Sequence, residues 1–220
     1  MDISRRAAIT TMAAGVAGSV MLNAAHGAEP VNKVNNADFY KADGTFDVDK
    51  AKQAYYDMME HFNYPIVPRL RGEEFWAVDF GMGKFAEAGM AGIFWLNNKE
   101  GNYFGHDIYL LPGQMIPEHK HVETAEAGPK MEGWQPRHGW IYIYGEGDAT
   151  PGVEERIPSS HKECAQARKE QKLLPGEVGM LGGAEQWHWM IAGPEGAIVT
   201  EYATYHDGTA LRFSNPDVQF

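Results

Sequence analysis

The sequence predicts an all-β barrel or sandwich with one N-terminal helix, and three observations carry that prediction. From residue 75 onward short apolar runs recur, at 75–80, 93–96, 103–111, 140–144, 177–181, 187–191, 197–203 and 210–213. Gly, Pro or Asn clusters separate most of them, the punctuation of short strands. Two Pro-Gly pairs, Pro112-Gly113 and Pro175-Gly176, each introduce one of these strand regions with a turn. The chain has 220 residues, enough for a single domain with a sizeable core.

Taken in order, residues 1–28 read as a targeting segment. Arg5-Arg6 precedes a mild apolar stretch, 7–22, and then Ala25-His26-Gly27. The stretch is Ala- and Gly-rich and shorter than a membrane span of about 20 strongly apolar residues, so a removed signal is expected. The twin Arg resembles a Tat signal, which exports folded proteins; an ordinary Sec signal is the alternative. Either places the product in the periplasm or outside the cell, with no membrane attachment in the mature form. Residues 29–69 form an N-terminal arm and helix. Within them 47–62 carries Val48, Ala51, Tyr55, Met58, Met59 and Phe62 at helical spacing, which is core contact. Asp47 is the expected N-cap, and Pro65 and Pro68 are expected to stop the helix. Residues 70–220 form the barrel. Within it 160–172 is rich in Lys, Glu and Ala and reads as a helical turn capped by Ser160-x-x-Glu163, or as an extended loop.

Composition excludes some functions. The net charge of -11 and the absence of a Lys/Arg run argue against nucleic-acid binding. A single cysteine, Cys164, rules out an intrachain disulfide.

The chemistry centres on His119 and His121. Side chains two apart on a strand point to one face, so both imidazoles aim at one spot. Glu132 is the expected carboxylate partner. Glu123 is the rival, but 125–129 breaks the strand, and Glu132 would then open the next one beside the pair. His188 sits between Trp187 and Trp189, which turn to the opposite face and leave it pointing inward. Three nitrogens and one oxygen suit a divalent metal such as Zn, Mn, Fe, Ni or Co. Lys130 stands two before Glu132 and is expected to share the cavity with a lowered pKa. Glu201 lies in an apolar strand, where an unpaired carboxylate is costly. It is expected to face a polar cavity as a base, or to pair with Arg137 or Arg212. His61, His106, His138, His161 and His206 read as loop-associated and mostly solvent-facing. Trp95, Trp140 and Phe213 are expected to wall the site.

Two Pro-Gly-led modules, one with a His pair and acid and one with a single His, resemble the two motifs of the cupins. The resemblance implies a jelly-roll barrel, and a homodimer, since cupins are frequently dimeric. The narrower set Pro117-x-His119-x-His121, Lys130-x-Glu132, Leu174-Pro175-Gly176-Glu177, His188-Trp189, Glu201-Tyr202-Ala203-Thr204 and Arg212-Phe213-Ser214 resembles D-lyxose isomerase-type cupins over roughly 70–217. That likeness implies that His119, His121, Glu132 and His188 bind a divalent metal, Mn first. It implies that Lys130 and Glu201 act at the substrate. Arg212 and Asp207 are the further candidates for binding the substrate. The implied activity is aldose–ketose isomerisation of a free sugar through an enediol. Two other readings share the ligand set. One is a dimethylsulfoniopropionate-type cupin lyase, which needs a Tyr base near the His pair, where Tyr142 and Tyr144 are the nearest that follow. The other is a non-catalytic periplasmic sugar-binding cupin.

Overall fold

The computed structural model describes residues 34–220. The targeting segment expected at 1–28 lies outside the described residues. The all-β expectation is met, among the described residues, by nine strands in one sheet with a single α-helix in front of it.

The helix, α1 (Val48–His61), begins where Asp47 accepts a 3.2 Å hydrogen bond from the Lys50 amide. It buries Ala51, Tyr55, Met58 and Met59, the Met and aromatic stripe read from the sequence. Val48 instead remains 40% exposed in the first turn, and Phe62 is the half-buried C-cap. Proline does not stop the helix. Asn63 takes a left-handed conformation (φ 52°), its amide donates to Glu60 and the Tyr64 amide reaches the Met59 carbonyl at 2.7 Å. Those bonds are the Schellman pattern, with asparagine in glycine's place.

The strands are β1 (Phe75–Val78), β2 (Met90–Asn98), β3 (Tyr103–Leu110), β4 (Met115–His121), β5 (Glu132–Gly145), β6 (Lys169–Leu173), β7 (Gly179–Met180), β8 (His188–Ala203) and β9 (Leu211–Phe213). Every ladder between them is antiparallel. Strand β8 organises the sheet. Its first part lies between β4 and β5, its second between β3 and β5. The runs at 187–191 and 197–203, separate in the sequence, are thus one strand with a distorted middle. Gly139 and Gly196 make that distortion possible. Both have positive φ, and a Cβ on Gly139 would stand 2.0 Å from the Gly196 carbonyl.

Residues 160–172 open with one helical turn, the Ala165 amide donating to the His161 carbonyl at 2.9 Å, but continue neither as a helix nor as the extended loop weighed against it. Turns lead into β6, which pairs with β5 from Ile141 to Gly145. The Ser160 amide donates to Glu87 rather than joining a capping box with Glu163. An open ladder edge on β5 overrides local helix propensity, and the Lys-rich β6 is suited to an edge.

The sheet has two differently used faces. On the outer face α1 packs against Phe75, Ile93, Tyr109 and Ile198. Tyr55 stands edge-on to Phe75 and donates to Gln114 at 2.7 Å, which satisfies that buried amide. The inner face carries Ile108, Leu110, Val199 and Trp134 and closes around a cavity.

Candidate metal and proton-transfer site

Strand alternation builds the site from four places in the chain. On β4, His119 and His121 turn into the cavity while the intervening side chain turns away. Flanking them outside are Glu118 and Lys120. Glu118 accepts the Gln166 and Ala167 amides, and Lys120 lies over Trp187 at 4.8 Å. His188 opens β8 directly opposite His119 in the ladder. Trp189 points away, as expected, stacking on Tyr144 and donating to the Ala167 carbonyl. Glu132 opens β5 after the break at 125–129 and enters the same space. Glu123, the rival ligand, is exposed and takes no part.

The four donors of His119, His121, Glu132 and His188 lie within 4.8 Å of one another. Their residues suit a cation on a direct test. His119 and His188 each hold their Nδ1 on a nearby backbone carbonyl, Pro117 at 2.8 Å and Gln186 at 2.9 Å. That fixes the tautomer and leaves Nε2 facing inward, the usual arrangement of a metal-binding imidazole. His121 Nε2 and His188 Nε2 stand 2.9 and 3.5 Å from Glu132 Oε1, yet none of these buried atoms makes an aligned hydrogen bond. Donors that converge without bonding each other, two pairs of them at the spacing of ligands about 2.1 Å from one centre, leave a place for a cation. His119 keeps some exposure, while the other three are buried.

Beside the donors lies a buried charge network. Lys130 hydrogen-bonds Glu201 Oε1, and its Nζ is 3.5 Å from Glu132 Oε2. His106 Nδ1 stands 3.2 Å from the other Glu201 oxygen. The predicted arginine partners are therefore wrong, because Lys130 and His106 satisfy Glu201. Burial alone would raise the Glu201 carboxyl, but Lys130 outweighs it, with help from His106, and the shift is downward. The lowered pKa expected of Lys130 is also overturned. Burial pushes it down, but Glu132 and Glu201 together pull it up, so it remains an ammonium. Burial likewise acts to raise the Glu132 carboxyl, and Lys130 and the imidazoles hold it well below its usual range.

Sequence reasoning missed two residues. His106 is not in a solvent-facing loop. It is buried on β3, paired with Glu201 in the ladder and stacked on Trp76. The signal was present, since His106 alternates with Phe104 and Ile108 on the inward face. His206 lines the cavity between Phe94 and Phe104, and burial lowers its pKa to about 4. His161 also proves buried, its Nδ1 2.8 Å from Ser160 Oγ.

Other expectations fail. The structure does not bring Arg212 or Asp207 to the cavity. Arg212 is exposed and binds the Thr209 and Leu211 carbonyls, because the inward positions of β9 belong to its neighbours. Asp207 caps the turn at Thr209 and accepts from Thr124. Of the three predicted walls only Phe213 lines the cavity. Trp95 sits on the outer face, donating to Asp107 at 2.7 Å, and Trp140 packs over Gly193 and beneath Lys172. Phe80, also a wall, is held at a positive φ of 56°, a strained state for a bulky residue. The Gln219 amide clamps its carbonyl at 2.8 Å.

A curled antiparallel sheet with three imidazoles and a carboxylate converging inside it gives a β-barrel with a candidate cation site beside a buried acid–lysine pair. No family model matches the chain. Curated relatives do. It is 29% identical over 172 residues to a D-lyxose/D-mannose isomerase of Thermosediminibacter oceani, covering 78% of this chain and 93% of that one. It is 31% identical over 147 residues to a D-lyxose ketol-isomerase of a Thermofilum species, covering 67% of this chain and 80% of that one. The chain belongs to the D-lyxose ketol-isomerase family of sugar isomerases. Among solved structures, an L-ribose isomerase of Cellulomonas parahominis superposes with a TM-score of 0.61 at 14% identity, over 78% of this chain and 92% of that one. That likeness bears on fold alone.

Proposed function

We propose that the protein is a metal-dependent aldose–ketose isomerase of the cupin superfamily, acting on a free D-lyxose- or D-mannose-like sugar. The observation that carries the reading is the convergence of the four unbonded donors beside the Lys130–Glu201 pair. His119, His121, Glu132 and His188 would hold a divalent cation, Mn first, which when bound supplies Lewis-acid polarisation of the sugar carbonyl. Glu201 removes the proton alpha to the carbonyl and returns it to the neighbouring carbon. Its depressed pKa keeps it unprotonated and ready to accept. Lys130, held as an ammonium, donates hydrogen bonds to the oxygen that gains charge. His106 orients the Glu201 carboxylate from the far side. The aromatic walls limit water around the enediol.

The names of the relatives support the substrate class, and their family membership supports the reaction. The lyase reading loses its base, since Tyr144 is stacked on Trp189 and bonded to Glu170, and neither it nor Tyr142 lines the cavity. A sugar-binding protein without turnover is separated by assay. Mature protein loaded with Mn should interconvert D-lyxose with D-xylulose, and D-mannose with its ketose. No turnover of any pentose or hexose would remove the isomerase reading, and retained affinity would then identify a binding module. The proposal places the mature protein outside the cytoplasm, on the strength of Arg5-Arg6 and the apolar stretch 7–22, and as a homodimer. Cell fractionation and sedimentation test these two points.

A further inference from the structure

With the four donors and the Glu201–Lys130–His106 trio assigned, His206 is the titratable side chain left among the described residues lining the cavity. The indoles of Trp76 and Trp134 add N–H donors to the walls, and an indole accepts nothing. The second nitrogen of His106 is shut against Gly92, where a Cβ would stand 2.3 Å from it. The ring of His206 stacks on Phe104 at 5.2 Å, stands edge-on to Phe94 at 5.3 Å and lies 5.8 Å from the ring of His121. Its Nδ1 is buried with no hydrogen-bond partner. His119 and His188, by contrast, have their Nδ1 pinned by carbonyls.

The backbone beneath His206 is nevertheless fixed. Asn97 of β2 accepts from the His206 amide at 3.0 Å and donates to its carbonyl at 2.9 Å. Asn102 accepts from the Tyr205 amide at 3.1 Å, and Asp207 caps the next turn. An imidazole set this firmly into a cavity wall, with its Nδ1 unpartnered, suits a group that the protein does not supply. Burial keeps it neutral, so it carries one N–H and one bare nitrogen. That pair matches a sugar hydroxyl, which both donates and accepts. In an aldose held by the oxygens of its first two carbons, Glu201 and Lys130 attend the proton that moves. The hydroxyl on the third carbon is the first one left over. His206, next to His121, meets it before any hydroxyl farther along the chain.

We infer that His206 is a specificity-determining residue, which holds the hydroxyl on the third carbon of the sugar. This inference rests on the isomerase reading and deepens it. The proton transfer itself is unchanged.

Calorimetry on mature Glu201→Gln protein loaded with Mn measures sugar binding without turnover. D-lyxose is compared with its 3-deoxy and 5-deoxy analogues. D-lyxose is expected to bind about tenfold more tightly than the 3-deoxy sugar. Adding His206→Phe keeps a ring between Phe94 and Phe104. It should weaken D-lyxose about tenfold and leave the 3-deoxy sugar within twofold. His206→Asn, which restores a hydrogen-bonding group, should regain part of the contrast. A 3-deoxy contrast that survives His206→Phe overturns the inference, and so does a variant that erases a 5-deoxy contrast in its place. A Mn content that falls in His206→Phe, with all three sugars weakened alike, makes the residue a support of His121 and also overturns it. Protein with Glu201 intact judges the isomerase reading separately. D-lyxose that binds with the expected contrast but is never turned over removes that reading and keeps His206 as the residue that holds this hydroxyl.

Discussion

Asp107 and Glu201 are both buried carboxylates, at 6% and 4% exposure, on strands that pair with each other. The ladder between β3 and β8 sets Asp107 opposite Thr200 and His106 opposite Glu201, so alternation sends the two acids to opposite faces. Asp107 looks outward and is satisfied by neutral donors: Trp95 Nε1 at 2.7 Å, the Thr200 hydroxyl at 2.7 Å and the Tyr64 hydroxyl at 3.2 Å. Glu201 looks inward and is satisfied by an ammonium and an imidazole. Neutral donors tie a carboxylate into the scaffold. Ionisable ones leave a proton-transfer group whose affinity for protons is set by its neighbours. The same residue chemistry therefore serves structure on one side of a sheet and, in the proposed reading, reaction on the other.

Glu201→Gln makes the largest test of that contrast. It keeps the shape and removes the base. The kcat should fall by roughly 10³-fold or more, while sugar affinity by calorimetry changes little. Turnover within a few-fold of the parent would break the contrast outright. His188→Ala comes next. Elemental analysis after Mn loading should fall from one metal per chain to well below it, because a distant ligand of four is lost. Unchanged metal content would remove residue 188 from the set. Asp107→Ala should do the reverse of both. It strands the Trp95 N–H and the Thr200 hydroxyl, costing about 3 kcal/mol of stability in urea unfolding. Metal content and kcat per folded molecule should stay within twofold of the parent.

The contrast also explains what the sequence could disclose. His119 and His121 were legible because a two-residue period fixes a face without any knowledge of partners. Glu132 over Glu123 was legible from the strand break at 125–129. His188 followed from its two tryptophans. His106 fell inside the run read as a strand at 103–111 and was still taken as solvent-facing, although its face follows from Phe104 and Ile108. Arg212 and Asp207 were misplaced for a different reason: they stand on a short strand and in a turn, where backbone carbonyls and Thr124 claim those side chains. Trp95 and Trp140 failed because which face of a strand meets the cavity depends on bulges, here between Phe94 and Leu96 and between Gly139 and Ile141. A register shift exchanges faces and leaves no trace in composition.

The smallest effects lie in the pH dependence. Glu201 works unprotonated, so turnover is lost as pH falls through its pKa. Burial pushes that pKa up, while Lys130 first and His106 to a lesser extent pull it down. Removing either partner releases part of the upward push. Lys130→Met should therefore move the acid limb of the kcat–pH profile to higher pH, with kcat on the plateau reduced about tenfold through loss of one hydrogen bond to the developing charge. His106→Phe keeps a flat ring to stack on Trp76 and should shift the same limb in the same direction by less, with the plateau nearly unchanged. The corresponding change on the outer face, Trp95→Phe, removes a neutral donor from Asp107 and should leave the limb where it is. An acid limb that moves for the outer variant, or moves down for either inner one, would show that the two carboxylates are not separated by the sheet in the way their partners indicate.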